Sequence, residues 1–110
     1  MYLTKERRKI PIPCLSTIEF VEINQILAIQ ANENYSILIL QDDSQLFCTL
    51  PFGKLVKKLN ASGFYQCHKS YAINLNATIR YYRHGEVELS NGKKVPVARR
   101  RKSEFMEMWG

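Results

Sequence analysis

The dipeptide Asn91-Gly92, set between two extended segments, constrains the fold of this chain more than any other feature. Glu86 to Leu89 alternates acidic and apolar residues before it, and Lys93 to Ala98 is a second extended segment after it. Asn-Gly between two such segments is the strongest short-range signal for a β-hairpin with a two-residue turn. Pro96 cannot donate a hydrogen bond within a sheet, so the second strand is expected either to lie at a sheet edge or to carry an unpaired position. The segment therefore predicts antiparallel pairing.

Short extended segments recur along the rest of the chain. They combine β-branched and aromatic residues with alternation, and turn residues separate them. We assign extended segments or strands to residues 10–13, 17–23, 26–29, 35–40, 45–50, 71–75 and 78–82. Gln30 to Asn34 is interpreted as a polar break, and Asp42-Asp43-Ser44 as a turn. Many short strands at this spacing indicate a mostly β domain.

Two segments depart from the β pattern. Four apolar residues lie at spacings of three and four, which is one face of a short helix: Phe52, Leu55, Val56 and Leu59. This helix is expected to end near Asn60 to Gly63. Residues 103–109 predict a short C-terminal helix, with Ser103 as its N-terminal cap.

The length and composition fit one globular domain. The 110 residues are treated as a single domain over 1–110, and 45% of them are hydrophobic, which is enough for a core without cross-links. No apolar run approaches the ~20 residues of a membrane span, and no secretory signal opens the sequence. Cys14, Cys48 and Cys67 are odd in number and widely spaced, which predicts reduced, buried thiols in a cytoplasmic protein.

Positive charge is concentrated near the two ends of the chain. Residues 1–10 carry four basic side chains and one acidic one, and residues 93–102 carry six basic side chains and no acid. The remaining residues carry six basic and nine acidic groups. Clustered Lys and Arg favour a polyanionic partner such as nucleic acid. Charge alone leaves a second interpretation open, in which such runs are merely solvated surface.

No motif of an enzyme active site is present in the sequence. The five glycines are isolated, so there is no P-loop and no G-x-G-x-x-G turn, and G-x-S-x-G is also absent. The cysteines and histidines lack metal-binding spacing. His84 is expected at the surface, and His68 in a structural hydrogen bond. We therefore predict a protein that is not an enzyme and that uses no metal or cofactor.

Four segments resemble the LytTR DNA-binding domain. Residues 64–74, FYQCHKSYAIN, are similar to the family signature of an aromatic residue, then His-x-Ser-aromatic, then a strand ending in Asn. Residues 26–35 are similar to its I-x-Y-I-E-A-x-x-N-Y stretch, residues 50–59 to its single helix, and residues 91–99 to its closing N-G-x-x-I-P-V-S-R. Each motif is weak alone, but together they keep the family's order over a core of about residues 10–108.

The chain departs from the family pattern at a few positions. Ala28 stands where an aromatic residue is usual, Gln30 where Glu is common, and Ala98 where Ser is usual. Lys69 fills the variable position of His-x-Ser. These differences bear on the DNA sequence that is preferred rather than on the fold.

The resemblance implies a fold of small antiparallel sheets, with about ten short strands, one internal short helix and a short C-terminal helix. It also implies double-stranded DNA binding through loops between strands, which enter successive major grooves without a recognition helix. The contact positions that match by motif are Asn34, Tyr35, Ser36, Lys69, Arg99, Arg100 and Arg101. Arg reads guanine and Asn reads adenine through paired hydrogen bonds, while Lys and Arg neutralise phosphates. His68 and Asn74 of the motif are interpreted as structural.

The resemblance further implies a role in gene regulation. Family members are cytoplasmic bacterial transcription regulators, or the output domains of response regulators in two-component systems. Many carry a receiver domain in a longer parent chain. Relatives bind paired direct-repeat sites, which implies a dimer on DNA.

Two other classes of function remain as alternatives. A β-rich module for RNA or single-stranded nucleic acid would stack bases on exposed aromatic side chains. Its candidates are Phe64, Tyr65, Tyr71, Tyr81 and Tyr82, and two or more of them would have to be exposed on one sheet face. A non-enzymatic protein-interaction domain would instead bind an acidic partner through its basic ends, and its binding would not follow DNA sequence.

Overall fold

The computed structural model describes residues 8–109. Within this range the chain forms ten strands and two α-helices. The strands are β1 (Lys9–Pro13), β2 (Ile18–Glu22), β3 (Ile26–Asn32), β4 (Tyr35–Leu40), β5 (Gln45–Cys48), β6 (Phe64–His68), β7 (Tyr71–Asn74), β8 (Thr78–Tyr82), β9 (Glu86–Leu89) and β10 (Lys94–Pro96). The helices are α1 (Phe52–Leu59) and α2 (Lys102–Glu107). The predicted fold class is confirmed.

The strands form three small sheets, and every pairing in them is antiparallel. The central sheet has the order β5-β4-β3-β7-β6. A sheet of order β10-β9-β8 and the hairpin β1-β2 complete the set. Among residues 8–109 the strand β10 pairs with β9 alone, so Pro96 lies in an edge strand, the first of the two predicted alternatives.

The strand β3 is buried on both faces, which explains its continuous apolar run from Ile26 to Ile29. Leu27 and Ala28 pack with Val87, Val95 and other residues of the three-stranded sheet, and α2 adds Phe105. The opposite face of the central sheet packs on α1 and β1. That second cluster contains Ile10, Ile12, Ile26, Ile29, Leu38, Leu55, Leu59 and Phe64. The central sheet is thus the middle layer of the domain.

The helix α1 has the bounds that its apolar spacing predicts. Leu55 and Leu59 are buried against the central sheet, while Lys54, Lys57 and Lys58 are exposed. A short 3-10 turn at Asn60–Ser62 follows, and Gly63 ends it with a φ of +88°. That left-handed backbone favours glycine because no Cβ is present to clash.

The sequence-based assignment is wrong in three places. Gln30 to Asn32 continue β3 because they pair with β4, so the polar break shrinks to the turn Glu33–Asn34. Strand β6 was not predicted, because a bulge between Tyr65 and His68 disrupts its alternation. Ser103 is not a cap, because a 3-10 turn at Arg99–Arg101 leads directly into α2 and the N-cap position falls on Arg101.

Candidate nucleic-acid interface

The tight turn between β3 and β4 forms the first part of the candidate interface. Glu33 and Asn34 occupy it, and both side chains are exposed. Glu33 has a φ of +55°, a backbone conformation that costs energy for a residue with a Cβ. Tyr35 begins β4 with 45% of its surface exposed. The turn therefore projects an amide and a phenol from the end of the hairpin.

Ser36 does not belong to this exposed group, although it was predicted to contact DNA. Its side chain is fully buried, and its hydroxyl donates a hydrogen bond to the Leu50 carbonyl oxygen at 2.8 Å. Because a residue alternates faces along a strand, Tyr35 points outward where Ser36 points inward. The prediction for Ser36 is corrected accordingly, since its hydroxyl holds β4 to the segment after β5.

The two-residue turn between β6 and β7 forms the second part. Lys69 is exposed there, and the ring nitrogen Nδ1 of His68 accepts a hydrogen bond from the Ser70 amide at 3.1 Å. The His68 ring also packs edge-on against Tyr71, with centroids 5.8 Å apart. His68 is therefore structural, as predicted, and it fixes the turn that carries Lys69.

Asn74 has a structural role at the far end of β7, as predicted. It is buried, and its side-chain amide donates to the Ile26 carbonyl oxygen at 3.0 Å. Its side-chain oxygen accepts from the Asn76 amide, also at 3.0 Å. The family-like signature thus supplies hydrogen bonds at both ends of one strand and leaves a single exposed cation, Lys69, at the tip.

Backbone hydrogen bonds bring the predicted contact segments to one end of the central sheet. The Ala31 amide donates to the Ser70 carbonyl oxygen at 2.8 Å, which joins the first turn to the second. The Ala98 amide donates to the Cys67 carbonyl oxygen at 2.8 Å, next to the end of β6. The chain leaves that contact as Arg99 and Arg100, whose side chains are exposed. Neither arginine forms an ion pair within residues 8–109.

Arg101 differs from the two arginines before it. Its side chain is only 29% exposed, and its Nη1 lies 3.9 Å from Glu104 Oε1. Its Nε is buried and has no hydrogen-bond partner in the described structure. The Tyr65 hydroxyl donates to the same Glu104 oxygen at 2.7 Å. Burial of the hydroxyl, and to a smaller extent this hydrogen bond, raises the pKa of Tyr65 to about 12. Arg101 was predicted to contact DNA together with Arg99 and Arg100, but its side chain is tied inward, which sets it apart from those two.

A fourth exposed turn, which the sequence indicated as a surface turn but not as a contact segment, lies beside the arginine segment. Arg83 and His84 occupy the turn between β8 and β9, and the Val97 amide donates to the Gly85 carbonyl oxygen at 2.9 Å. Arg83 is exposed and forms no ion pair within residues 8–109. The sequence signal was Tyr82-Arg-His-Gly85, which places a cation at a glycine turn. Only the hydrogen bond between Val97 and Gly85 shows that this turn lies beside the arginine segment.

The described residues offer neither a metal site nor a membrane span. No group of three or more His, Cys, Asp or Glu side chains among residues 8–109 is placed to hold a metal ion. Neither α1 nor α2 has the length and apolar character that a membrane span requires. The thiol of Cys67 is buried, and burial raises its pKa to about 12, so it is protonated and unreactive at neutral pH.

Comparison with known proteins decides the family. The family model for the LytTr DNA-binding domain matches residues 16–110, which is most of the chain. The chain belongs to the LytTR family. This is a family of DNA-binding domains rather than of enzymes, and DNA binding in transcription regulators is the function that membership indicates.

Two relatives show how far this similarity extends. The chain is 29% identical over 98 residues to the CO-responsive transcriptional regulator RcoM of Rhodospirillum rubrum, covering 84% of this chain and 41% of that protein. The chain is therefore similar to less than half of the regulator's length. A solved LytTr DNA-binding domain, from a Bacillus cereus protein assigned as a methyl-accepting/DNA response regulator, has 18% identity and a TM-score of 0.77. That alignment covers 94% of this chain and 97% of the other, so the two share the fold.

The five aromatic residues named as stacking candidates are not exposed together on one sheet face of this LytTR domain. Phe64 is buried, and none of the four candidate tyrosines is more than partly exposed. Tyr65 and Tyr81 pack against Phe105, with ring centroids 6.0 and 5.7 Å away. Tyr82 is covered by His84 on one side and by the Lys94 ammonium 4.9 Å from its centroid. These contacts show that the candidate rings pack within the fold.

Proposed function

We propose that this LytTR domain binds double-stranded DNA sequence-specifically, as the output domain of a bacterial transcription regulator that acts in the cytoplasm. The observation that supports the proposal most is the convergence of three exposed turns at one end of the central sheet. The turns bear Asn34, Lys69 and Arg99, and backbone hydrogen bonds near each turn hold them together. Rigid strands behind exposed tips suit a surface that reads DNA without a recognition helix.

The side chains at these tips have the chemistry for base recognition in the major groove. An Arg guanidinium pairs with O6 and N7 of guanine, and an Asn amide with N6 and N7 of adenine. We assign the first role to Arg99 and the second to Asn34. Lys69 is a single-point donor to guanine, and Tyr35 flanks the first tip with an apolar ring and a hydroxyl.

Phosphate contacts supply the affinity in this proposal. Arg100 and Lys102 are exposed beside Arg99, whereas Lys93 follows the Asn91-Gly92 turn, which contacts Asp43 at the far end of the central sheet. Each phosphate that a cation neutralises releases counterions from DNA, so the binding constant falls steeply as salt rises. With six such contacts, the logarithm of the binding constant would fall with the logarithm of salt concentration at a slope of about −5.

The regulatory setting belongs to the proposal as well. RcoM is named as a CO-responsive regulator and the chain matches 41% of its length; by analogy we propose that a sensor or receiver domain in a longer parent chain controls this domain. We propose that two copies bind paired direct-repeat sites and dimerise on DNA. The domain itself then catalyses no reaction and needs no cofactor for recognition.

Selection of preferred sequences from a random duplex pool tests the proposal. The purified domain is expected to enrich one short motif, and fluorescence anisotropy is expected to show at least a hundredfold preference for it over random duplex, within the usual range for specific sites. Enrichment of single strands or RNA over duplex would support a single-strand-binding module. Binding to an acidic protein without any preference among DNA sequences would support an interaction domain, and either result would overturn the proposal.

A further inference from the structure

The turn between β8 and β9 is held in a defined shape. The Gly85 amide donates to the Tyr82 carbonyl oxygen at 2.8 Å, and Gly85 has a φ of +111°, a conformation that suits glycine. His84 Nε2 lies 2.8 Å from Glu86 Oε1, and the His84 ring stacks on Tyr82 at 5.6 Å between centroids with 27° between planes. These contacts fix the main chain on both sides of Arg83.

Arg83 differs from Arg80, the nearest arginine, which lies on the strand before the turn. Arg80, three residues earlier in β8, is 58% exposed but lies 3.4 Å from Glu88 Oε1, which neutralises its charge. Arg83 is exposed and has no ion-pair partner within the described residues. The turn therefore presents a cation whose charge no acid of the described structure neutralises.

The position of this cation follows from two successive amides. Val97 donates to Gly85 and Ala98 donates to Cys67, and successive amides of an extended chain point to opposite sides. The segment before Arg99 therefore lies between the Arg83 turn on one side and the end of β6 on the other. Neighbouring extended segments lie about 4.8 Å apart, so the main chain at Gly85 and the main chain at Cys67 each lie about one such spacing from the segment before Arg99, on opposite sides of it.

We infer that Arg83 binds a backbone phosphate of the duplex at the edge of the groove that Arg99 reads, which extends the interface from three turns to four. The inference rests on the proposed function. The major groove is about 12 Å wide, so a side chain in its middle lies about 6 Å from either phosphate wall. The Arg83 turn flanks the arginine segment on the side away from the Lys69 turn, so its cation lies at the edge of the candidate interface, where a phosphate rather than a base is its partner.

The test compares three single variants with the parent domain on a preferred duplex and its single-base variants. Arg83→Ala removes the cation, and Arg83→Lys keeps the charge but not the planar guanidinium. Arg80→Ala removes an arginine of β8 that is already paired with Glu88. Affinity is measured by anisotropy at four salt concentrations. Circular dichroism and thermal melting confirm that each exposed substitution leaves the fold intact.

Arg83→Ala is expected to weaken binding to all duplexes by the same factor, about three- to tenfold at low salt. It should also reduce the magnitude of the salt slope by about 0.9. Arg83→Lys and Arg80→Ala should keep the parent slope. If Arg83→Ala keeps the parent slope, or if it relaxes discrimination at one base pair, Arg83 is not a phosphate contact and the inference is overturned. If the parent domain itself prefers no duplex, the proposed function fails first.

Discussion

Arg99 and Arg101 lie two residues apart in one run of cations, yet the structure gives them different surroundings. Arg99 is exposed and unpaired within residues 8–109, whereas Arg101 is tied to Glu104 and mostly covered. Sequence alone could not separate them, because both belong to an unbroken string of basic residues. The fold separates them because the 3-10 turn at Arg99–Arg101 rotates successive side chains around its axis.

Arg99 is expected to read a base, and Lys102 to contact phosphate only. Arg99→Ala should cost about 1–3 kcal/mol on the preferred duplex and relax discrimination at one base pair. Lys102→Ala should weaken all duplexes alike and reduce the magnitude of the salt slope by about one. The measurement is affinity for the preferred site and its single-base variants at two salt concentrations. An equal loss on every variant for Arg99→Ala would make Arg99 a phosphate anchor instead.

Lys69 provides a second comparison at the scale of single residues. Lys69→Ala is expected to weaken DNA binding clearly more than Lys57→Ala, because Lys69 lies at a turn of the interface and Lys57 lies on the exposed face of α1. Both are exposed lysines, so the free energy of unfolding should change by no more than about 0.5 kcal/mol in either variant. Anisotropy with one duplex measures both affinities, and equal losses would show that only total charge matters.

At the scale of elements, α2 is held to the central sheet by a carboxylate that two groups share. Glu104 accepts a hydrogen bond from Tyr65 of β6 and lies against Arg101 at the start of the helix. Phe105, on the same helix, is buried between Tyr65 and Tyr81. The packing anchors α2, while the polar contacts orient the arginine turn that precedes it.

Glu104→Gln is expected to reduce the ratio of specific to non-specific DNA affinity. Removal of the carboxylate charge frees Arg101 to meet phosphate, so affinity for random duplex should rise and the salt slope should steepen by about one. Glu107→Gln, an exposed residue of the same helix, is the matched control for the lost charge. If the two variants change both affinities equally, the effect is general electrostatics rather than release of Arg101.

The elements that were predicted well from the sequence are those whose spacing of apolar residues follows the regular period of a helix or a strand. The helix α1 packs a single apolar face, and β4 and β8 each begin and end at the predicted residues. The strand β6 was not predicted because its bulge places the buried residues Phe64 and Cys67 three positions apart, whereas buried residues of a regular strand lie two apart. Ser36 was misassigned for a related reason: a motif places a residue at a turn, but the pleat decides which way its side chain points.

At the scale of the whole molecule, the candidate interface depends on contacts that are distant in sequence. The three contact segments come from residues 33–35, 69 and 99–100, and they meet only through pairing of β3 with β7 and of Ala98 with Cys67. The motifs in the sequence indicated the residues of these three segments. They could not indicate Arg83, whose turn lies beside the arginine segment through the hydrogen bond between Val97 and Gly85. Long-range pairing of this kind is not encoded in local periodicity.

The three cysteines are expected to report on the integrity of the two core clusters. Cys67 lies in the cluster with Phe105 and Cys48 in the cluster with α1, and burial raises the pKa of both thiols. Cys14 is only partly buried. Alkylation at pH 8 should therefore modify Cys14 first, with the other two reacting only as the domain opens. Mass spectrometry of digested samples over time measures the order, and rapid labelling of Cys67 would contradict a closed core.

Amide chemical-shift mapping by NMR, with the preferred duplex added to the isotope-labelled domain, tests the central claim most directly. We expect the largest changes to fall on four turns: Glu33–Asn34, Lys69–Ser70, Arg83–Gly85 and Arg99–Arg100. The exposed helix surface at Lys54 and Lys57 and the outer surface of β2 at Ile18 and Phe20 should change little, although one is basic and the other apolar. Chemical-shift changes centred on α1 or β2, with the four turns unaffected, would contradict the proposal that these turns bind DNA.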